Sequence, residues 1–162
     1  IHEGIDSTLL LLHDRLKEEG NRPEIQVIKN YGDLPLITCY PSQMNQVFIN
    51  VLNNAIDAFE MGNEQAAFPS PNPTIWITTE LTDSETVIIR IKDNGAGIPE
   101  EVQSRLYDPF FTTKPVGKGR GLGLSMSYQI VVEKHKGKLT FHSSPGAGTE
   151  FAIAIPVYLG KG

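Results

Sequence analysis

The sequence lacks several features that mark common functional classes. It has one cysteine in 162 residues, Cys39, so no internal disulfide can form, which is typical of a reducing compartment. No apolar run approaches the roughly 20 residues needed to span a bilayer. No lysine–arginine cluster occurs and the formal net charge is −5, which argues against a nucleic-acid partner. No signal peptide is visible, and a start at Ile1 instead of Met suggests a piece of a longer protein.

What is present is an ordinary globular composition, 40% hydrophobic and 20% charged, in a length typical of one domain. Apolar periodicity predicts helices at 1–19, 42–60, 99–106 and 122–135. Alternating or continuous apolar runs predict strands near 25–28, 36–40, 74–81, 87–93, 138–143 and 149–156. This order predicts an α+β fold, a two-layer sandwich in which a mixed, mainly antiparallel sheet carries its helices on one face.

Two glycine-containing stretches stand out. Residues 93–97 read Asp-Asn-Gly-Ala-Gly directly after the apolar run at 87–91, and such glycines let a turn form with another group close to its backbone. Residues 117–123 have a glycine at every second position and lead into the last helix, so free N–H groups and the helix dipole suit a phosphate there. Neither stretch matches the dinucleotide fingerprint or the P-loop, and each alone could be an ordinary turn.

The predicted helix at 42–60 carries an unusual polar stripe. Gln46, Asn50 and Asn54 are spaced four apart, and Asn53 and Asp57 fall within the same arc of about 100°. Asparagine is a poor helix former, so something other than helix propensity should require it. Amide oxygens can ligate a hard cation, and amide groups can bond to phosphate. The alternative for the asparagines is buried hydrogen bonding within the protein.

Together these stretches resemble the catalytic, ATP-binding domain of sensor histidine kinases, in the superfamily shared with gyrase, the Hsp90 chaperones and the MutL repair proteins. The resemblance covers roughly residues 24–157. Its motifs, in chain order, are an N box at 46–55, a G1 box at 93–98, an F box at 108–114, a G2 box at 119–125 and a closing G-T-x-F at 148–151. It implies a Bergerat-type ATP-binding fold. It also implies that residues 1–23 are a linker helix from an absent dimerisation and phosphoacceptor domain, and that 24–162 are the catalytic domain.

The resemblance also implies roles at the adenine end of a bound ATP. Asp93 would accept a hydrogen bond from the adenine amino group, which guanine lacks, so ATP would be preferred over GTP. Thr149 would lie near the same edge of the base. Gly97 would let the backbone approach the adenine ring, and Gly95 and Ile98, in the same turn, would also contact the nucleotide.

At the phosphate end, the resemblance implies that Asn54 ligates Mg²⁺ through its amide oxygen and that Asn50 lies beside the phosphates. Asp57 would also contribute to nucleotide binding, and Asn50 and Lys114 are the implied catalytic residues. The other implied nucleotide contacts come from a lid and the start of the last helix: Phe110, Lys118, Gly119, Arg120, Gly121, Leu122 and Gly123.

Position 50 bears on the type of reaction. In the ATP-hydrolysing relatives a glutamate there activates water, whereas Asn50 cannot act as a general base. This favours a protein histidine kinase that donates the γ-phosphoryl group of ATP to a histidine on a separate domain, with the fragment inert alone. The alternative is an ATP-hydrolysing conformational switch of the gyrase, Hsp90 or MutL type. Asp57 is compatible with this alternative, because many histidine kinases have a basic residue at that position.

The implied partners are the histidine phosphoacceptor domain of the same protein and the receiver domain of a response regulator. We expect a cytoplasmic location, no nucleic-acid partner and no membrane contact by this fragment. His2 is interpreted as a linker residue and not as the phosphate acceptor.

Overall fold

The computed structural model describes residues 1–17, 22–63, 72–83, 85–104 and 124–158. In these ranges five strands form one sheet with the order β1-β2-β3-β5-β4. The strands are β1 Gln26–Tyr31, β2 Thr74–Thr82, β3 Thr86–Asp93, β4 Lys138–Ser144 and β5 Gly148–Pro156. β1 pairs with β2 in parallel, and the other three pairings are antiparallel. The predicted mixed, mainly antiparallel sheet is confirmed.

The helices differ from the prediction mainly at their ends. They are α1 His2–Leu11, α2 His13–Leu16, α3 Pro41–Asn63, α4 Glu100–Gln103 and α5 Leu124–Tyr128, and α5 continues as a π-helical segment, Gln129–Lys134. The single helix predicted for 1–19 breaks at Leu12, which has φ −96° and ψ 5°. Within the described part of the chain, no helix combines the length and the hydropathy needed to cross a membrane.

One face of the sheet forms the core. Ile77, Ile89 and Ile153 are fully buried, as are the neighbouring alternate positions of β2, β3 and β5. Strand side chains point alternately to the two faces, so these residues meet α3 and the last helix on one side. The other face carries polar contacts, such as Lys92 lying 5.9 Å from the centroid of the Trp76 ring. The predicted two-layer arrangement is therefore confirmed.

The strand predicted for residues 36–40 is absent from the sheet. Leu36 is 97% exposed, whereas Ile37 and Cys39 are partly buried against the core. Thr38 donates a backbone hydrogen bond of 2.9 Å to the carbonyl of Val157, which attaches the segment near the end of β5. A short apolar run does not by itself distinguish a strand from another extended segment. Residues 36–40 pair with no strand of the described sheet.

The N-terminal segment packs on the rest of the domain. Ile5 and Leu12 are buried in the core that α3 shares with the sheet. Gly4 lies so close to α3 that a β-carbon there would be 2.4 Å from Oδ1 of Asn45. The boundary expected at residue 23 stays a prediction.

His2 is also engaged within the domain. Its ring stacks on Tyr31 at a centroid distance of 4.1 Å, and its Nε2 lies 2.7 Å from Oγ1 of Thr79. Asp6 accepts a hydrogen bond from the Tyr31 hydroxyl at 2.8 Å, which together with Lys29 lowers the pKa of the Asp6 carboxyl. These contacts fasten α1 to β1 and the neighbouring strand β2.

Candidate nucleotide-binding site

Asp93 is the last residue of β3 and points to the buried face of the sheet, where it is 3% exposed. Its Oδ1 accepts a hydrogen bond of 2.8 Å from the backbone N–H of Gly95. Burial raises the pKa of this carboxyl to about 7, although hydrogen bonds from the N–H groups of Gly95 and Thr149 act to lower it. The site therefore holds a buried carboxyl group that a further hydrogen-bond donor would stabilise in its charged form.

Thr149 lies opposite Asp93 in the pairing of β3 with β5 and is 4% exposed. Its hydroxyl is 2.8 Å from the hydroxyl of Ser143, which is its partner across the β4–β5 pairing. The Ser143 hydroxyl also accepts a hydrogen bond of 2.7 Å from the N–H of Ile98 and donates one of 3.2 Å to the carbonyl of Gly148. One serine thus ties the G1 turn to the hairpin that carries Thr149.

Sequence reasoning missed Ser143. The signal that could have found it is the hairpin register, because a residue six positions before Thr149 pairs with it when the turn is built around 145–147.

The G1 turn itself is held between α3 and the β4–β5 hairpin. Ala96 donates a 3.3 Å hydrogen bond to the carbonyl of Ala58 on α3, and a β-carbon at Gly95 would lie 2.8 Å from the β-carbon of Ala58. Gly97 has φ +79°, and a β-carbon there would lie 2.3 Å from the carbonyl oxygen of Ser144. Both glycines therefore allow close packing within the protein, in addition to any approach to a ligand.

Three of the five residues of the polar stripe on α3 are buried. Asn50, Asn54 and Asp57 are 9%, 8% and 8% exposed. Gln46 donates a 3.1 Å hydrogen bond to Oδ1 of Asn50, and Nδ2 of Asn50 donates one of 3.2 Å to the hydroxyl of Ser127 on α5. The Asn50 amide is therefore oriented from both sides, with its oxygen and nitrogen assigned by the two partners.

A cation that sequence reasoning missed also lies on this stripe. Arg15, on α2, donates a 2.6 Å hydrogen bond to Oδ1 of Asn53 and one of 2.8 Å to Oδ1 of Asp57. The Asp57 side chain keeps 12% of its accessible surface in this pair. Asn53 thus serves as a hydrogen-bond partner within the protein, and Asp57 is an ion-pair partner. No local pattern around Arg15 could have indicated a contact 42 residues away in sequence.

The structure brings the sequence-predicted residues together in two groups. Asp93, Thr149 and the G1 turn form one, and Asn50, Asn54 and Asp57 form the other, joined through the contact of Ala58 with the turn. The remaining predicted site residues lie outside the described ranges: Phe110, Lys114, Lys118, Gly119, Arg120, Gly121, Leu122 and Gly123.

A metal ion at this site would need amide oxygens. The described part of the chain contains no group of three or more His, Cys, Asp and Glu side chains placed to hold one. Asn54 carries an amide oxygen of the kind that ligates hard cations and is buried near Asn50, and Mg²⁺ commonly takes few protein ligands alongside water and substrate phosphates. The residues present fit such an ion.

Comparison with known proteins places the chain in a family. Residues 39–159, about three quarters of the chain, match the family described as histidine kinase-, DNA gyrase B-, and HSP90-like ATPase. Sporulation kinase E of Bacillus subtilis (strain 168) is 39% identical over 145 residues, covering 89% of this chain and 18% of that protein. The signal transduction histidine-protein kinase AtoS of Escherichia coli (strain K12) is 37% identical over 155 residues, covering 94% of this chain and 22% of that protein. The chain thus spans about a fifth of the length of these curated relatives.

Solved structures agree with the fold. The nucleotide-free catalytic domain of histidine kinase ThkA superposes with a TM-score of 0.75 at 28% identity, over 97% of this chain and 94% of that one. Histidine kinase ThkA in complex with response regulator protein TrrA gives a TM-score of 0.72 at 26% identity, over 97% of this chain and 40% of that one. The family match over residues 39–159 and the shared fold show that this chain belongs to the histidine kinase-, DNA gyrase B- and HSP90-like ATPases.

Proposed function

We propose that this chain is the ATP-binding catalytic domain of a sensor histidine kinase. It binds ATP with Mg²⁺ and donates the γ-phosphoryl group to a histidine on a domain of the same protein that lies outside this chain. The observation that carries the proposal is the buried Asp93 carboxyl, paired with Thr149 and linked by the G1 turn to the amide stripe of α3. The names of the curated relatives, which include sporulation kinases and a signal transduction histidine-protein kinase, support it over an ATP-hydrolysing switch.

The adenine end of the site selects ATP by hydrogen-bond polarity. The Asp93 carboxylate accepts a hydrogen bond from the exocyclic amino group of adenine, whereas guanine presents a carbonyl at that position. Since Asp93 is 3% exposed, water cannot readily substitute for the missing donor. Thr149 contributes its hydroxyl on the same wall, and Gly95, Gly97 and Ile98 bring the backbone of the turn against the base.

The phosphate end depends on amides. Asn54 would hold Mg²⁺ through its side-chain oxygen, and the ion would supply positive charge that offsets the negative charge of the phosphates. Asn50 is fixed between Gln46 and Ser127, so its amide is already oriented before the nucleotide arrives. An amide cannot take a proton from water, which favours transfer to a protein acceptor over hydrolysis. Lys114, Lys118 and Arg120 are the proposed phosphate contacts from the lid.

The proposed partners are the histidine phosphoacceptor domain of the same protein and the receiver domain of a response regulator, in the cytoplasm. Support for the second partner comes from histidine kinase ThkA, whose solved complex contains response regulator protein TrrA.

The test is phosphotransfer in trans. The fragment is incubated with γ-labelled ATP and Mg²⁺, with and without the separately expressed acceptor domain of its parent protein. Label on the acceptor, lost when the acceptor histidine is replaced by glutamine, supports the proposal. Bound ATP without any labelled acceptor, or sustained phosphate release by the fragment alone, would overturn it and favour the hydrolysing alternative.

The magnesium assignment has its own test. Asn54→Ala should weaken ATP binding in the presence of Mg²⁺ and change it little in excess EDTA. Asn45→Ala is the matched control, because Asn45 is exposed on the opposite side of the same helix. Equal loss of binding in Mg²⁺ and in EDTA would contradict the assignment.

A further inference from the structure

We propose that Arg15 is a positioning residue that couples the N-terminal segment to the nucleotide site, because its guanidinium neutralises Asp57 beside the place of the triphosphate. This inference rests on the proposed function, and it makes ATP binding depend on how the N-terminal segment is docked. Neither the motifs of the family nor the sequence around Arg15 points to this residue.

The contact has the geometry of a fork. The two terminal nitrogens of Arg15 donate to Oδ1 of Asn53 at 2.6 Å and to Oδ1 of Asp57 at 2.8 Å. Asn53 and Asp57 are one helical turn apart on α3, so their side chains lie side by side. A planar guanidinium can bond both at once, whereas the ammonium group of a lysine is a single point of charge.

Asp57 lies on the part of α3 that the site uses. It follows Asn50 by seven residues, so the two side chains leave the helix within about 20° of each other. The next residue, Ala58, contacts the G1 turn through Gly95 and Ala96. A carboxylate in this place, 8% exposed, would repel the phosphates of ATP through a medium of low dielectric. The positive charge of Arg15 offsets that repulsion.

The position of Arg15 depends on the fold of the N-terminal segment. Arg22 is 1% exposed and donates hydrogen bonds to the carbonyls of Arg15 at 2.7 Å, Lys17 at 3.0 Å and Pro23 at 3.1 Å. Ile25, just before β1, donates a 2.8 Å bond to the carbonyl of Leu16.

Because the backbone around Arg15 is held in this way, displacing the segment would withdraw the guanidinium from Asp57. Docking of the segment and binding of ATP then favour each other, and the coupling is reciprocal.

A double-mutant cycle tests this. Arg15→Ala, Asp57→Asn and the double variant are compared with the wild type by calorimetric ATP binding and by urea unfolding. Arg15→Ala should raise the Kd for ATP about tenfold, a typical coupling between sites. The double variant should bind ATP more tightly than Arg15→Ala, because the repelling charge is gone, and Asp57→Asn alone should lose less affinity than Arg15→Ala does. Lys29→Ala is the control, since it also removes a cation that bonds α1 to β1, through Asp6 at 3.0 Å.

The cycle separates charge from structure. A merely structural role for Arg15 would lower the unfolding free energy and weaken ATP binding in the single and the double variant alike, which would overturn the inference, as would wild-type affinity in Arg15→Ala. If Arg15→Ala does not fold, Arg15→Gln, which removes the charge and keeps an N–H donor, provides the same comparison with and without Asp57→Asn. A wild-type chain that binds no ATP would instead refute the proposed function.

The reciprocal effect gives a second measurement. ATP should slow hydrogen exchange of the amides at 12–17 in the wild type and leave them unchanged in Arg15→Ala. Equal protection by ATP in both proteins would contradict the coupling.

Discussion

Thr149 lies directly opposite Asp93 in the antiparallel pairing of β3 with β5, and both residues are almost fully buried. Paired residues point to the same face of a sheet, so the hydroxyl and the carboxyl share the wall that faces the helices. The backbone N–H of Thr149 also bonds to the Asp93 carboxyl, which opposes the rise in its pKa caused by burial. The binding of a base and the pKa of Asp93 therefore both depend on the pairing of Asp93 with Thr149.

Replacing Asp93 with asparagine should abolish recognition of adenine. Oδ1 of Asp93 accepts the Gly95 N–H, so an asparagine that keeps this bond must turn its NH₂ group toward the base, where it meets another donor. Loss of a charge-assisted hydrogen bond costs about 1.5–3 kcal/mol, so the Kd for ATP should rise at least tenfold in calorimetry. Asp83→Asn, at an exposed turn, is the control. Unchanged affinity in the Asp93 variant would remove the adenine assignment.

The same residue should make the ligand-free protein less stable as the pH rises. The pKa of Asp93 is about 7 in the folded protein and 3.8 in its ordinary state. The stabilisation of the neutral form is fully present below pH 3.8 and is lost as the pH passes 7, because the folded state binds more protons in that window. Relative to Asp93→Asn, the wild type should lose about 3 kcal/mol of unfolding free energy between pH 5 and pH 8.

Urea unfolding of both proteins at several pH values measures this difference, since the contributions of all other groups cancel. The asparagine variant should be the more stable protein at pH 8 while it fails to bind ATP, which is a trade of stability for function. A difference between the two proteins that stays constant with pH would show that Asp93 is already ionised at pH 5.

The strands and the helix that carry the site could be predicted because their signals are local. Alternating apolar residues define β2 and β3, and β3 ends at Asp93, two residues after the apolar run at 87–91. The amide stripe of α3 is visible because 3.6 residues per turn align positions 46, 50, 54 and 57. The buried face of the sheet follows from these patterns.

The contacts that hold the site could not be predicted in this way. Ser143 reaches Ile98 across 45 residues, and Arg15 reaches Asp57 across 42. Such contacts depend on how whole elements pack, and a serine or an arginine on a polar surface has the same local pattern with or without them. The π-helical continuation of α5 likewise has no signal in apolar periodicity, since its buried residues Ile130 and Val131 suit either helix.

A β-carbon at Gly97 should displace the G1 turn. Gly97 has φ +79°, and the added carbon would lie 2.3 Å from the carbonyl oxygen of Ser144, which is backbone and cannot move aside cheaply. Gly97→Ala should therefore lower the unfolding free energy by about 3 kcal/mol, combining the strain of a positive φ with the overlap. ATP binding should weaken as well, because the turn carries Ile98 and follows Asp93. Chemical denaturation and calorimetry measure the two effects.

Gly146→Ala provides the matched control for that strain. Its φ is +82°, close to that of Gly97, yet a β-carbon there would have no neighbour within 4 Å. It should cost only about 1–2 kcal/mol, the penalty of the left-handed conformation alone. Equal losses in the two variants would mean that the turn moves away from Ser144 without cost, and the close packing would then have no role in positioning Ile98.

Removing the Ser143 hydroxyl should destabilise the adenine end of the site, where Ser143 bonds Ile98 and Thr149, and should leave the phosphate end unchanged. Ser143→Ala deprives the Ile98 N–H and the Thr149 hydroxyl of a partner, at a cost of about 1–3 kcal/mol in unfolding free energy for buried groups left unpaired. Because the change is at the base, binding of adenosine and of ATP should weaken by the same factor. Ser144→Ala, at the exposed neighbouring position, should change neither. If Ser143→Ala weakened ATP but not adenosine, the hydroxyl would act on the phosphates, and the assignment of Thr149 to the base would have to be abandoned.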